Sequence, residues 1–405
     1  MPHPAVLSEP VLRAIASVAR LSGGDATAPV PDDLCRRVTE LSQLFTRERK
    51  SLASSYLDDE LSRLAYLAYF LPVNLAKVQV LLDEMPAPTR QKDVTARPFT
   101  VLDLGSGPGT ASLGVLDWAR RSPSMQSVPL EIVSVDRSFQ ALEECKNLWN
   151  AYAKSERVEG ARLTTVKVDL ERCHPQADFK GRAAHSYDVI ILANVLNELY
   201  PAGRDPIHKR AELVRDLLGL LDQNGTLMII EPALRETSRQ LHLVRDRLLE
   251  DQLCTVYSPC LHEMPCPALL KETDWCHEER PWTPPPLVAA IDRQVEFIKD
   301  ALKFAYLLLR KDGESLVRRA PNVYRVVSEL RSMKGEKRAW LCNEAGRPEV
   351  GRLDRARSAT NEAFDEWHRG AIVRIDEIVR KERKGRESTI GRIPAEATVE
   401  IIRPI

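Results

Sequence analysis

From Phe99 onward the chain alternates short apolar runs with amphipathic stretches, and this alternation limits its fold more than any other feature. FTVLDLG reads as a buried strand ending in glycine, and TASLGVLDWAR as the helix after it. LEIVSVD, RLTTVKVDL and YDVIILANV read as three further strands, with the helix SFQALEECKNLWNAYAK after the first of them. IHKRAELVRDLLGLL is a helix, and GTLMIIEP a fifth strand after the Asn224-Gly225 turn. Strands that alternate with helices imply a parallel sheet covered on both faces, an α/β domain of the doubly wound, Rossmann-like kind. Residues 99–250 have the length of one such domain. At 405 residues the chain can bury more than one core. An N-terminal helical region (1–98) and a C-terminal region of small sheet and helix (251–405) are therefore expected on either side.

In the N-terminal region VLRAIASVARL, LCRRVTELSQLF and LSRLAYLAYFL carry apolar residues at helical spacing. The longest apolar stretch, LAYLAYFLPVNLAKVQVLL, is interrupted by Pro72, Asn74, Lys77 and Gln79. It reads as a pair of core helices broken at the proline, and no membrane is expected as a partner. Residues 86–98 are a polar linker. In the C-terminal region FIKDALKFAYLLLRK reads as a helix running into a strand, NVYRVVSELR and RAWLCNEAG as strands, NEAFDEWHRGAIVRIDEIV as helix and ATVEIIRPI as a last strand.

Formal net charge is zero, so no global field draws the protein onto nucleic acid. The charge is uneven, however. Residues 310–357 hold thirteen Lys/Arg against seven Asp/Glu, and 380–392 six against two, which gives the C-terminal region the makings of a basic face. MPHPAVLSEP carries neither a secretory nor a transit signature, so a reducing cytosolic compartment is expected, and clustered cysteines point to metal before disulfides.

VLDLGSGPGT sets Gly105, Ser106, Gly107 and Gly109 between a strand and a helix. Such a loop alone is shared with dinucleotide enzymes. Three carboxylates at successive strand ends turn the reading toward S-adenosylmethionine (SAM). Asp103 is placed to reach the ligand's ammonium group, Asp136 the two ribose hydroxyls, and Asp169 the adenine amino group. Carboxylates in these places suit a neutral-to-cationic ligand better than a pyrophosphate. This stretch resembles the class I methyltransferases. After the fourth strand, ANVLNELY offers Asn194, also a donor-binding candidate, with Asn197 and Glu198 as candidate catalytic groups; none is an obvious base.

Four of the eight cysteines fall in residues 254–276. Cys260, Cys266 and Cys276 are separated by five and nine residues, wider than common zinc knuckles and matching no fixed iron–sulfur spacing. Thiolates suit zinc and iron–sulfur clusters alike. Cys254, Cys342, His262 and His277 are the options for a fourth ligand.

The motifs GSGPGT, ANVLNELY, PCLHEMPCP, DWCHEERPW, KFAYLLLRK and WLCNEAG together resemble one family, the mitochondrial small-ribosomal-subunit methyltransferase-like assembly factors and their bacterial relatives. The likeness runs from about residue 56 to 380. It implies a class I SAM domain and a [4Fe–4S] cluster on Cys260, Cys266, Cys276 and, as fourth ligand, Cys342. It further implies the small ribosomal subunit and its RNA as partner, with no DNA. The expected protein is a bacterial, cytoplasmic, monomeric relative, either an rRNA methyltransferase or a non-catalytic assembly factor with SAM and the cluster as structural ligands.

Overall fold

The computed structural model describes residues 4–20, 30–47, 56–87, 97–182, 186–201, 204–380, 382–383 and 386–404. Strands β1 (Phe99–Leu104), β2 (Leu130–Asp136), β3 (Ala161–Lys167), β4 (Tyr187–Ala193) and β5 (Leu221–Pro232) stand where the apolar runs predict them. They pair in parallel in the order β3-β2-β1-β4-β5. The sheet does not stop at residue 250. β6 (Thr255–Ser258), β7 (Glu278–Pro281) and β8 (Ala301–Arg310) extend it, with β8 antiparallel to β5 and both β6 and β7 antiparallel to β8. The cysteine segment is thus a loop inserted between two strands of the main sheet, and the unit that begins at Phe99 runs to Arg310.

KFAYLLLR is strand throughout. Its alternation explains this: Leu302, Phe304, Tyr306 and Leu308 enter the core on one face of the sheet, and Ala305, Leu307 and Leu309 the core on the other. A strand buried on both faces reads as a continuous apolar run, and its period of two is hidden.

Among the described residues ten helices surround the sheets: α1 (Glu9–Ala19), α2 (Asp32–Thr46), α3 (Glu60–Ala65), α4 (Leu71–Glu84), α5 (Thr110–Arg121), α6 (Phe139–Ser155), α7 (Pro175–Asp178), α8 (Pro206–Leu218), α9 (Arg235–Glu250) and α10 (Pro286–Val295). The expected break at Pro72 does not occur. A π turn over Tyr66–Phe70 joins α3 to α4, and Pro72 sits in the first turn of α4. The widened turn absorbs the missing N–H and the ring. Glu60–Glu84 is long and apolar enough to cross a membrane, but 67% of its most apolar window is buried inside the protein, as in a core helix.

A second sheet, ordered β16-β12-β11-β9-β13-β17 with β10 on β11, forms the C-terminal region. Its strands are β9 (Val323–Val326), β10 (Arg331–Met333), β11 (Glu336–Cys342), β12 (Glu349–Leu353), β13 (Ile372–Ile375), β16 (Ile390–Arg392) and β17 (Val399–Arg403), with a hairpin of β14 (Glu382–Arg383) and β15 (Arg386–Glu387) beside it. The helix expected over 361–379 is absent. Gly370 at φ +90° breaks the run, Phe364 and Trp367 fold into the core from a 3-10 turn, and Ile372–Ile375 pairs with β9 and β17.

A buried ionic network ties the N-terminal helices to both sheets. Glu84, at the end of α4, accepts from Arg280 on β7 at 2.7 Å, from Ser258 on β6 at 2.6 Å and from Tyr306 on β8 at 2.7 Å. Arg325 on β9 pairs with Glu278 on β7 and donates to the Tyr306 hydroxyl at 3.2 Å. Burial pushes the Glu84 pKa up, but Arg280, Arg325 and the two hydroxyl donors outweigh it and hold the carboxyl at about 2.

Candidate functional site

The loop after β1 is built for close approach. Gly105 has φ +65°, and a Cβ there would lie 2.4 Å from Val195 Cγ2. Gly109 has φ +86°, and a Cβ would meet Cys145 Sγ at 2.5 Å. Both positions exclude a side chain by backbone conformation and by space. Asp136, at the end of β2, locks the loop: its Oδ2 accepts from Gly107 N at 2.9 Å and its Oδ1 from Ser138 N at 2.8 Å. Burial raises its pKa against those bonds.

Beside this loop lies a cavity of about 410 Å³, open at the carboxyl ends of β1, β2 and β4. Gly105, Gly107, Asp136, Asp169, Asn194, Asn197 and Glu198 all line it. Asn194 adopts φ +61°, and its N–H bonds to Ile230 O, so the chain leaves the sheet there and turns into the cavity wall. Buried Arg210 holds the turn through Asn197 O at 2.8 Å and Leu199 O at 3.0 Å. The Asn197 N–H donates to Glu231 at 3.2 Å, while its buried side-chain oxygen Oδ1 has no hydrogen-bond partner among the described residues.

Three expected donor residues stand back from the cavity. Asp103 does not reach it: its Oδ2 accepts from Ser112 N at 3.0 Å and Ser112 Oγ at 2.6 Å, within the core. Burial, aided by the charge of Asp136, raises its pKa to about 7 against those two bonds. Ser106 and Gly109 shape the loop from behind.

The sequence reading missed the opposite wall, which the N-terminal helices supply. Phe45 packs edge-on against Tyr56 (5.4 Å) and Phe70 (5.0 Å), and Tyr66 lies 6.0 Å from Phe70. All four rings line the cavity, as do Asn74 and Lys77 from α4 and Lys299 and Lys303 from the start of β8. Burial raises the phenol pKa of Tyr56 and of Tyr66. The signal was present: Tyr66, Phe70, Asn74 and Lys77 recur every three or four residues, placing two polar groups on an otherwise apolar helical stripe.

The second site is the cysteine corner. Cys260 follows β6, Cys266 precedes a 3-10 turn, Cys276 precedes β7, and Cys342 ends β11 of the other sheet. Burial raises the Cys342 thiol pKa, and Cys276, Cys260 and Cys266 raise it further, so all four sulfurs share one electrostatic neighbourhood. Cys254 is a buried core residue and takes no part in that coupling. His262 is nearer: its Nε2 lies 3.6 Å from Cys342 Sγ. One face of α9 grips the loop. Arg239 donates to the carbonyls of Ala268, Lys271 and Asp274, His242 Nε2 lies 3.2 Å from Cys276 O, Arg245 donates to His262 O and Met264 O, and Asp246 accepts from Cys266 N. Residues three and four apart share a helix face, so one helix can hold fifteen residues of irregular backbone. Arg245 faces Cys260 and Cys266, and Arg347, Arg325 and Arg369 face Cys276. None of the eight cysteines forms a disulfide, and among the described residues no three His, Cys, Asp or Glu groups close to single-ion distance.

A parallel β3-β2-β1-β4-β5 sheet, continued by antiparallel β8 and then β6 and carrying a glycine loop after β1, is the class I methyltransferase fold. The chain belongs to the family described as mitochondrial small ribosomal subunit Rsm22, whose model matches residues 60–353. Solved structures similar to it include the plantazolicin methyltransferase BpumL in complex with SAH (13% identity, 68% of this chain, 99% of that one, TM-score 0.34). An O-methyltransferase family protein from Burkholderia thailandensis is 18% identical over 74% of this chain and 72% of its own, with TM-score 0.31. An rRNA methylase from Streptococcus thermophilus is 13% identical over 58% and 93%, with TM-score 0.27. No curated protein matches the chain.

Proposed function

We propose that this protein binds SAM in the 410 Å³ cavity and acts on the RNA of the small ribosomal subunit during its assembly, with a structural [4Fe–4S] cluster at the cysteine corner. The observation that carries the reading is the convergence of Gly105, Gly107, Asp136, Asp169 and Asn194 on one cavity of a class I methyltransferase fold. The family's name, with its small ribosomal subunit, supports the partner.

Asp136 accepts the backbone N–H groups of Gly107 and Ser138 and faces the cavity, where the ribose hydroxyls would donate to it. Asp169 Oδ1 accepts from Glu171 N at 3.1 Å, and the carboxylate faces the cavity one strand further, where an adenine amino group would donate to it. Gly107, where even a Cβ would meet only Leu57 Cδ1 at 3.6 Å, leaves the loop backbone open to the methionine part. Bound there, SAM would supply an electrophilic methyl group for an acceptor lone pair. The aromatic wall of Phe45, Tyr56, Tyr66 and Phe70 offers stacking faces for the base that presents that lone pair.

The cysteine corner suits an iron–sulfur cluster by its donor set. Four thiols from two sheets converge, and arginines beside Cys260, Cys266 and Cys276 offset the negative charge of a thiolate-ligated cluster. Cys260, Cys266, Cys276 and Cys342 would hold it, pinning the inserted loop to β11. The reading includes a bacterial cytoplasmic setting and a monomer.

One observation favours the non-catalytic alternative. The described residues lining the cavity include no histidine or cysteine. Incubation of anaerobically purified protein with labelled SAM and immature small subunits separates the two. Label in the rRNA that disappears with Asp136→Ala establishes transfer. Bound SAM and co-sedimentation without label establish an assembly factor.

A further inference from the structure

The wall that α4 contributes to the cavity holds a cation without a counter-ion. Lys77 is 8% exposed, and its ammonium has a single partner, Asn74 Oδ1 at 3.0 Å, an uncharged amide oxygen one turn back on the same helix. No carboxylate among the described residues reaches ion-pair distance of it. The charge that acts on it is that of Lys299, of like sign. Lys303, on the same rim, is satisfied by Glu279 at 3.7 Å, and Lys299 extends its ammonium to 6.0 Å above the Tyr69 ring. Burying an ammonium with one neutral acceptor is costly, because water is removed and nothing replaces its charge. Burial and Lys299 push the Lys77 pKa down to about 7, the direction expected of a cation whose partner is missing. A chain that places such a group on the wall of a ligand cavity leaves the ligand to neutralise it.

We propose that Lys77, oriented by Asn74 and backed by Lys299, is an oxyanion subsite of the cavity, and that it takes the terminal carboxylate of the donor's methionine part. The inference rests on the reading of the cavity as a SAM site. Two oxyanions can enter such a cavity: the donor's carboxylate and a phosphate of the nucleotide acceptor. The position of Lys77 favours the first. Tyr66, on the same face of the Glu60–Glu84 helix, lies beside Asn74 and Thr110, the first residue of α5, and α4 runs along α5, where Gln79 Nε2 donates to Gly114 O at 3.3 Å. Lys77 therefore stands on the glycine-loop side, where the methionine part must lie if the ribose is held at Asp136. The N-terminal helices would then complete the donor site, and the glycine loop would be only half of it.

Calorimetric binding to the full chain tests this with two probes. S-adenosylhomocysteine (SAH) carries the carboxylate; 5′-methylthioadenosine keeps the adenosine and thioether and lacks the amino acid. Lys77→Met is expected to weaken SAH tenfold or more and to leave methylthioadenosine within about twofold, with Lys77→Arg in between. Methylthioadenosine binding also reports that the Met variant is folded. Inorganic phosphate, read as a rise in melting temperature, is the third arm. Unchanged SAH affinity in Lys77→Met, with a phosphate-induced rise lost, would keep the oxyanion subsite and assign it to the acceptor's phosphate. Equal weakening of SAH and methylthioadenosine, or no change with any probe, would overturn the subsite. Wild-type protein that binds neither SAH nor methylthioadenosine would instead refute the SAM reading, and the phosphate arm would then decide the subsite alone.

Discussion

Replacing Glu84 by Gln removes the charge at the centre of the network that fastens α4 to β6, β7 and β8. Its carboxyl is 4% exposed, so solvent does little to screen the effect. It is held at about 2 where a free glutamate titrates at 4.5. That difference corresponds to about 3 kcal/mol of stability carried by the ionised form. Because the folded-state pKa is the lower one, the contribution is complete above pH 4.5 and is lost as pH falls from 4.5 toward 2. Gln also leaves Arg280 facing only Glu278, at 3.6 Å, and breaking one side of a buried pair costs on the order of 3–5 kcal/mol. Urea denaturation of wild type and Glu84→Gln at pH 7 is expected to differ by about 3 kcal/mol. The gap should narrow when both are measured below pH 4.5. A difference under about 1 kcal/mol at pH 7, or one that does not shrink in acid, would refute the claim that this carboxylate is stabilised by its arginines. Because α4 also carries Asn74 and Lys77 to the cavity, the variant should lose SAH affinity as well.

Gly109→Ala forces a Cβ to 2.5 Å from Cys145 Sγ at φ +86°, and thermal denaturation should show a loss of about 2–3 kcal/mol. Asp136→Ala should weaken SAH at least tenfold by calorimetry, whereas Asp103→Asn, behind the cavity wall, should act mainly on stability. Cys342→Ser should abolish the visible absorbance of an anaerobically reconstituted cluster, and Cys254→Ser should leave it intact. Arg245→Met, which frees the carbonyls of His262 and Met264, should make the cluster more labile to chelator without preventing its assembly.

Much of the main sheet was legible because each parallel strand is a short apolar run with a turn signal after it. Asp136 and Asp169 fall at strand ends for the same reason. β8 was harder: buried on both faces, it shows no alternation until the cores on each side are known. The stretch 361–379 looked helical because Phe364, Trp367, Ala371 and Ile375 are spaced three, four and four apart, while the deciding residue was Gly370 at φ +90°. Pro72 misled in the other direction, since a π turn lets a helix pass through it. Within the site, sequence spacing brought out the residues of the sheet. On its other wall the spacing of Tyr66, Phe70, Asn74 and Lys77 marks a stripe, but that the stripe faces the cavity depends on how the N-terminal helices dock. Asp103 carried the expected motif position yet spends its carboxylate on Ser112, a contact nine residues away across the first turn of α5.

The most direct test of the central claim is a structure of the chain with bound SAH. The account places the ribose hydroxyls on Asp136, the adenine amino group on Asp169 and the methionine part beside Gly105. SAH bound elsewhere, or a cavity that stays empty at saturating concentration, would contradict it.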